Sequence, residues 1–454
     1  MTPCYDYVVI GAGPAGIAAA RTLADAGKQV VVFEQNDTYG GLCGSFKVNE
    51  CTFDKFVHLS FAPEEIRNTW FNNSSLIEHK PEASNFYNGK WLAHPAINNL
   101  APLPFWQKTK IVASFVNRPS ELDVDFSTGV KDWNYYEWTK CVYGKYFADE
   151  FVEKYTEKYW GLPGNKLNTS WVGGRFQKPT LKGILQGMSK KNEKATFYTP
   201  MMYYPDRNEN GRTGYVQILD KAAAGLDIKY GYKCNRINPI RKLCTFNGVR
   251  VMGYNHLIVT MPMPEITNAL VDVPNLDNAT PLINKFKHTT GYMFSIEFAK
   301  PQITDKLWFY VYDREYPMAR FYSPSLCCPN SAPKGTSTLQ GEMYMPEFGL
   351  ADFTLPNSIR ENTYLDNCRY KMYVGLREMG IDTNNIVSLD IRREKYANII
   401  FDDETEVTKY KVQKILDNFG IVNCGRFGKW EYLWSHQAWS GGVEAANKAM
   451  SINY

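Results

Sequence analysis

An excess of charge of either sign is missing from this chain. Its 51 lysines and arginines face 47 aspartates and glutamates, a net charge of +4 over 454 residues, and no dense basic run occurs. A nucleic-acid partner would need a basic footprint, so none is expected. No uninterrupted apolar stretch reaches the ~18 residues of a membrane-spanning helix, so no span is expected. The opening residues MTPCYDY hold no positively charged leader, and the apolar run after them reads as a strand. No signal peptide is therefore expected. The ten cysteines are scattered without metal-ligand spacing. They read as reduced thiols of a cytoplasmic protein. Internal repeats and low-complexity tails are lacking. So are a Ser/His/Asp set, a metal cluster and an obvious carboxylate pair. The usual hydrolytic and metal-dependent chemistries thus have little support.

What is present begins at Tyr5. The run Tyr7 to Ile10 reads as a buried strand, and Gly11, Gly13 and Gly16 follow at once in G-x-G-x-x-G spacing. Ala18 to Leu23 continue at helical period, and a second strand, Val30 to Phe33, ends in Glu34. Gly11 permits the tight turn, Gly13 lets the backbone approach a pyrophosphate, and Gly16 lets helix pack on strand. The pyrophosphate would face the free N–H groups of the helix N-terminus. Glu34 can accept hydrogen bonds from a ribose. Gly40 and Gly41 follow in E-x5-G-G spacing, which resembles flavoproteins of the amine oxidase and glutathione reductase superfamily and so implies FAD over NAD.

The length exceeds what one core usually serves, so two or three structural regions are expected. A histidine, His58, stands close to the FAD unit. It either lies over the flavin ring or is a buried histidine bonded to a backbone carbonyl. Asn88-Gly89, between Phe86-Tyr87 and Trp91-Leu92, marks a hairpin. Residues 133–160 space their aromatics as two helices broken near Gly144, with the aromatic stripe expected mainly in the core. Arg175 follows Gly173-Gly174 and is either a phosphate clamp or a surface ion pair. Residues 227–259 and 290–345 read as strand-rich, and 358–379 as an amphipathic helix. Residues 201–214 are flanked by glycine and suggest a mobile lid. Near the end, Gly425-Arg426 form a glycine-bearing loop, and a small-residue helix begins near Gly442. Both are expected to close on the flavin from its other side.

The order and spacing of several segments resemble the UDP-galactopyranose mutases, closest to their fungal and protozoan type. The segments are the FAD motif, Asp54 with His58, KWLAHPAINNL, the aromatic stretch from Glu137 to Trp160, WVGGRF, DKLWFYVYD, MARFYS, RREKYA and GRFGKWEY. The resemblance implies an α/β fold. A Rossmann-like FAD domain (1–80, 196–265 and 401–454) would hold a helical insertion (81–195) and an antiparallel substrate sheet (266–400).

The resemblance further implies a non-redox isomerase. It would interconvert pyranose and furanose forms of a nucleoside-diphosphate sugar through a flavin N5–sugar adduct, with the flavin active as FADH−. NADPH or NADH would prime the flavin. By matching position, Arg175 and Arg320 would clamp the diphosphate, and Tyr310, Tyr396 and Tyr432 would hydrogen-bond it. His58 would sit beside the flavin and Trp160 in the nucleotide region. The chain departs from the family pattern at Phe56-Val57, where two glycines are usual. It departs again at His94 to Asn99, at Thr156 and at His436, where base-reading amides are usual. With those amides replaced, His94, Asn98 and His436 become candidate substrate contacts, and a base other than uracil, such as that of GDP or dTDP, is expected. Two competing expectations remain. One is an FAD-dependent oxidoreductase of the amine oxidase or protoporphyrinogen oxidase type. The other is a non-catalytic FAD protein.

Overall fold

The computed structural model describes residues 3–71, 76–119, 133–173, 176, 178–190, 199–273, 280–346 and 357–452. Its first layer grows from the glycine-rich unit. The strand Cys4–Ile10 lies parallel to Val30–Phe33 on one side and to Arg250–Val259 on the other. Asp227–Lys229 and Ile421–Asn423 extend the parallel set outwards. Two antiparallel strands, Cys234–Asn238 and Leu243–Phe246, complete a seven-stranded sheet. The central strands bury Val8, Val9, Val32 and Ile258 almost completely, as parallel strands covered on both faces must.

The helix Pro14–Asp25 covers this sheet and crosses the helix Ser435–Ser451. Close packing there depends on missing side chains. A Cβ on Gly16 would stand 1.9 Å from the Gly11 carbonyl oxygen, and one on Gly442 would stand 2.1 Å from that of Ala15. The C-terminal helix starts at Ser435 rather than near Gly442. Gly442 sits well inside it as a packing contact, not as a helix terminus aimed at a flavin.

The second layer is a seven-stranded sheet in the order 386–399, 288–298, 337–346, 320–322, 308–311, 83–87, 90–93. It is antiparallel except where Trp308–Val311 runs parallel to Ala83–Tyr87. The sequence places the hairpin 83–93 with the helical insertion; its strands instead extend the edge of this sheet. The turn at Asn88-Gly89, with φ of 47° and 68°, is as its composition demands. Alternate residues point to opposite faces. Phe294, Ile296, Phe309 and Phe321 pack with Met372 and Leu376 of the helix Asn357–Glu378. The other face carries the cross-strand row Tyr310, Arg320, Glu342 and Met293.

Helices Phe105–Val116, Tyr135–Tyr143 and Lys154–Trp160 form the insertion. Asn134 caps the second, accepting the Glu137 N–H at 2.9 Å. Gly144, at φ 80°, ends it where the first helix passes, since a Cβ there would lie 2.6 Å from the Ser114 backbone. A π-helical segment, Ala148–Glu153, then leads into the third helix. Residues 201–214, expected as a lid, are anchored over their first part. Met202–Pro205 pairs with Leu76–His79, and Tyr203 exchanges backbone hydrogen bonds with Ser60.

Candidate active site

A cavity of about 510 Å³ opens where the Rossmann layer, the second sheet and the insertion meet. Its lining comes from eight or more stretches of chain that are distant in sequence and includes His58, His94, Tyr155, Trp160, Arg320 and Arg426. Only the fold brings these groups together.

At the Rossmann end the backbone does the work. Gly13 precedes the helix, and a Cβ on it would meet only the Gly41 Cα, at 3.8 Å. The two glycines thus face each other across a gap bounded by backbone, a cradle for a pyrophosphate. Gly11, at φ 100°, abuts Thr260, and a side chain there would collide with its Oγ1. Glu34 is buried at the end of its strand. One carboxylate oxygen accepts the Ala12 N–H at 2.7 Å and the other accepts the Asn36 N–H and amide. Gly425, at φ 85°, lies against Ala15. Arg426 reaches the cavity, donating to the Leu433 carbonyl at 3.1 Å and to Asn398 Oδ1 at 3.2 Å. Among the described residues, its Nε and the Nδ2 of buried Asn398 are donors without partners. Such orphaned donors suit a polar group of a bound cofactor, and with the glycine cradle they fit a dinucleotide of the FAD kind.

Of the two expectations set for His58, the structure shows the contact with a backbone carbonyl. Its Nδ1 lies 3.2 Å from the Phe56 carbonyl, its ring stacks on Tyr215 at 4.9 Å, and it lines the cavity. Burial lowers its pKa to about 4, so it is neutral. Just before it, Phe56 adopts φ 66°, a region glycine enters more freely. Compensation is visible across the sheet. The Phe56 ring occupies the space over Gly291, where a Cβ would stand 2.5 Å from Phe56 Cζ. The glycine that is absent at 56 is, in effect, found at 291.

Arg320 is held on its strand by Glu342, its direct cross-strand partner, through an Nε–H to carboxylate hydrogen bond, and by the Tyr344 hydroxyl at 3.1 Å. Beyond it the walls are aromatic. Tyr310 packs edge-on to Tyr155 at 5.5 Å, the Tyr159 and Tyr432 hydroxyls lie 2.9 Å apart, and Trp160 contacts Tyr432 and Trp171. Arg426 lies over the Tyr432 ring at 4.3 Å. Tyr143, Phe147, Val152 and Tyr312 also line the cavity. The aromatic stripe of 133–160 is thus both core and cavity wall. His94 is fixed by buried Asn85. Asn85 donates Nδ2–H to the Ala93 carbonyl and turns its Oδ1 to His94 Nδ1 at 3.1 Å, so that Nδ1 carries the proton. Burial lowers the His94 pKa to about 4.

Among the predicted site residues, the fold brings together on the cavity His58, His94, Asn98, Trp160, Tyr310, Arg320, Arg426 and Tyr432. Tyr396 is not with them: its hydroxyl donates to Glu265 at 2.6 Å and its ring packs on His288. The strand turns it towards that carboxylate instead of the cavity. His436 stacks on Trp434 at 5.8 Å, beside the lining rather than in it. Thr156 lines the wall but donates its hydroxyl to the Val152 carbonyl. Arg175 lies outside the described residues. Sequence reasoning missed Glu342, Tyr344, Asn398, Asn85 and Gly291. One signal was legible, a carboxylate inside the apolar strand STLQGEMYMP.

Comparison with known proteins agrees with the fold. Residues 9–71 match the model of the NAD(P)-binding Rossmann-like domain. Human all-trans-retinol 13,14-reductase is 48% identical over 60 residues, which is 13% of this chain and 10% of that protein. The match thus spans about a tenth of that relative's length. A crystal structure of reduced UDP-galactopyranose mutase superposes with a TM-score of 0.86 at 22% identity, covering 98% of this chain and 95% of the other. Wild-type putrescine oxidase bound to putrescine gives 0.62 at 14% identity, over 100% of both chains. The chain therefore resembles UDP-galactopyranose mutase in fold over nearly its whole length. It has a mixed α/β architecture that includes a Rossmann-like domain. Among the described residues no helix is long and apolar enough to cross a membrane.

Proposed function

We propose that this chain is an FAD-dependent mutase that interconverts the pyranose and furanose forms of a nucleoside-diphosphate sugar. The observation that carries the proposal is one cavity whose lining combines His58, Arg320 and Arg426 with a set of aromatic walls that includes Tyr155, Trp160 and Tyr310. Reduced flavin, when bound, supplies the nucleophile for the anomeric carbon. The Gly13–Gly41 cradle and Glu34 would hold its pyrophosphate and ribose, with Arg426 and Asn398 offering donors on the opposite side.

The side chains supply position and charge. Arg320 meets the diphosphate and stabilises it as leaving group, then keeps it near for the return step. Tyr310 and Tyr432 place their hydroxyls beside the same path, and Arg175 is proposed as the second clamp. Neutral His58 adds no competing charge beside the flavin. The aromatic walls exclude water, which would otherwise hydrolyse the activated sugar. At the base end His94 stands where the related enzymes carry other groups, and the hydroxyl of Thr156 is committed to the backbone. This supports a base other than uracil, with GDP- and dTDP-sugars as candidates. The reductant would be NADPH or NADH, and the ten unpaired cysteines support a cytoplasmic setting. Titration with UDP, GDP, CDP and dTDP tests the base assignment: a clear preference for UDP overturns it.

A further inference from the structure

Glu342 has no place in that scheme, yet it is fully buried and its bonds reach both sides of the site. Its Oε1 accepts the Val57 N–H at 2.6 Å, one residue before His58. Its Oε2 accepts from Arg320 Nε and from the Tyr344 hydroxyl. Tyr344 also accepts from Arg320 Nη2 at 3.1 Å, closing a ring of three side chains. The register explains the arrangement. Arg320 and Glu342 are directly opposed on neighbouring strands, and Tyr344 is two residues on, on the same face.

Two consequences follow from the chemistry. The Nε and Nη2 of Arg320 are spent on protein, whereas its Nη1 has no hydrogen-bond partner among the described residues, and the side chain lines the cavity. The guanidinium is therefore presented in one orientation. Glu342 itself does not line the cavity; it sits behind the arginine and offsets its charge. An arginine facing a diphosphate without that offset would hold it more tightly. The proposed reaction needs the opposite balance, since the diphosphate must leave the sugar, wait and return.

We infer that Glu342 is a positioning residue. It locks Arg320 and the backbone ahead of His58 into one unit, and it weakens the arginine's hold on the diphosphate so that the group can depart and rejoin. The inference rests on the mutase reading. Its test can fail separately.

The test compares Glu342→Gln with the wild-type holoenzyme. Each is titrated with pyrophosphate and with UDP, GDP, CDP and dTDP, and each is assayed by NMR for furanose formation. The expected result is diphosphate binding about tenfold tighter, from the lost offsetting charge, with KM lowered and kcat reduced about tenfold or more. Weaker binding with a lower kcat would mean a merely structural role and would overturn the inference, as would binding and kcat both unchanged. Should Glu342→Gln not fold, Tyr344→Phe decides, because it removes a link of the ring without changing charge. A lower kcat at unchanged diphosphate affinity supports the inference. Any other outcome overturns it. If the wild type forms no furanose at all, the mutase reading falls, while the affinity comparison with pyrophosphate still decides whether Glu342 tempers Arg320.

Discussion

The two ends of the site are built on different principles. At the Rossmann end the chain offers backbone: Gly11, Gly13, Gly16 and Gly41 shape a crevice in which almost every important contact involves a missing Cβ. At the far end it offers side chains, with Tyr143, Phe147, Tyr155, Trp160 and Tyr312 enclosing the cavity. Glycine spacing is local and survives any change in the rest of the fold. The aromatic end exists only after the insertion has docked on the second sheet. A backbone site tolerates no added atoms, whereas a side-chain site can be retuned for a new ligand.

The sharpest way to break the comparison is to add single methyl groups to the crevice. Gly16→Ala drives a Cβ into the Gly11 carbonyl and should cost about 3 kcal/mol or more, with loss of bound flavin. Gly13→Ala meets only Gly41, so the apo protein should melt as before while flavin affinity falls. Thermal melts with flavin absorbance check both. Equal destabilisation by the two substitutions would show that Gly13 is a packing glycine and leave the cradle without support.

That asymmetry also explains what was legible in the sequence. The strand–turn–helix unit, the Asn88-Gly89 hairpin and the break at Gly144 were legible because each rests on a backbone conformation few residues adopt. Arg320, Tyr310 and Tyr432 were recognised through resemblance and lie on the cavity. Tyr396 and Gly442 misled because composition does not reveal which way a strand bulge turns a side chain or where a helix starts. The antiparallel pairing of 386–399 with 288–298 shifts register near Gly291, beside Tyr396. Glu342 escaped notice because its importance comes from a partner on the neighbouring strand.

A second test uses pH. Burial keeps His58 neutral, so the unfolded chain binds a proton below its ordinary pKa of 6.5 that the folded chain refuses until about 4. Its contribution to stability is complete above pH 6.5 and is lost as pH falls through that window, about 2 kcal/mol between pH 7 and 5. His58→Gln should remove that share of the pH dependence in denaturant titrations. The difference between variant and wild type isolates it from Asp54, whose buried carboxyl is raised to about 6 and acts in the opposite direction. An unchanged slope would mean that His58 is solvated.

The smallest effect concerns the substituted glycine. Gly291→Ala should cost about 2 kcal/mol beside Phe56 but under about 1 kcal/mol in a Phe56→Gly background, a coupling read from a double-mutant cycle. Additive costs would show that Phe56 and Gly291 are independent.

The central claim concerns anomeric chemistry, and NMR addresses it directly. Dithionite-reduced protein is incubated with UDP-, GDP-, CDP- and dTDP-hexoses and the products are examined for furanose rings. The account predicts a furanose from at least one of them, with a base other than uracil preferred and no net oxidation of the flavin. Unchanged sugars, together with flavin reduction by an amine or an apolar ring compound, would contradict it and make the protein an oxidoreductase.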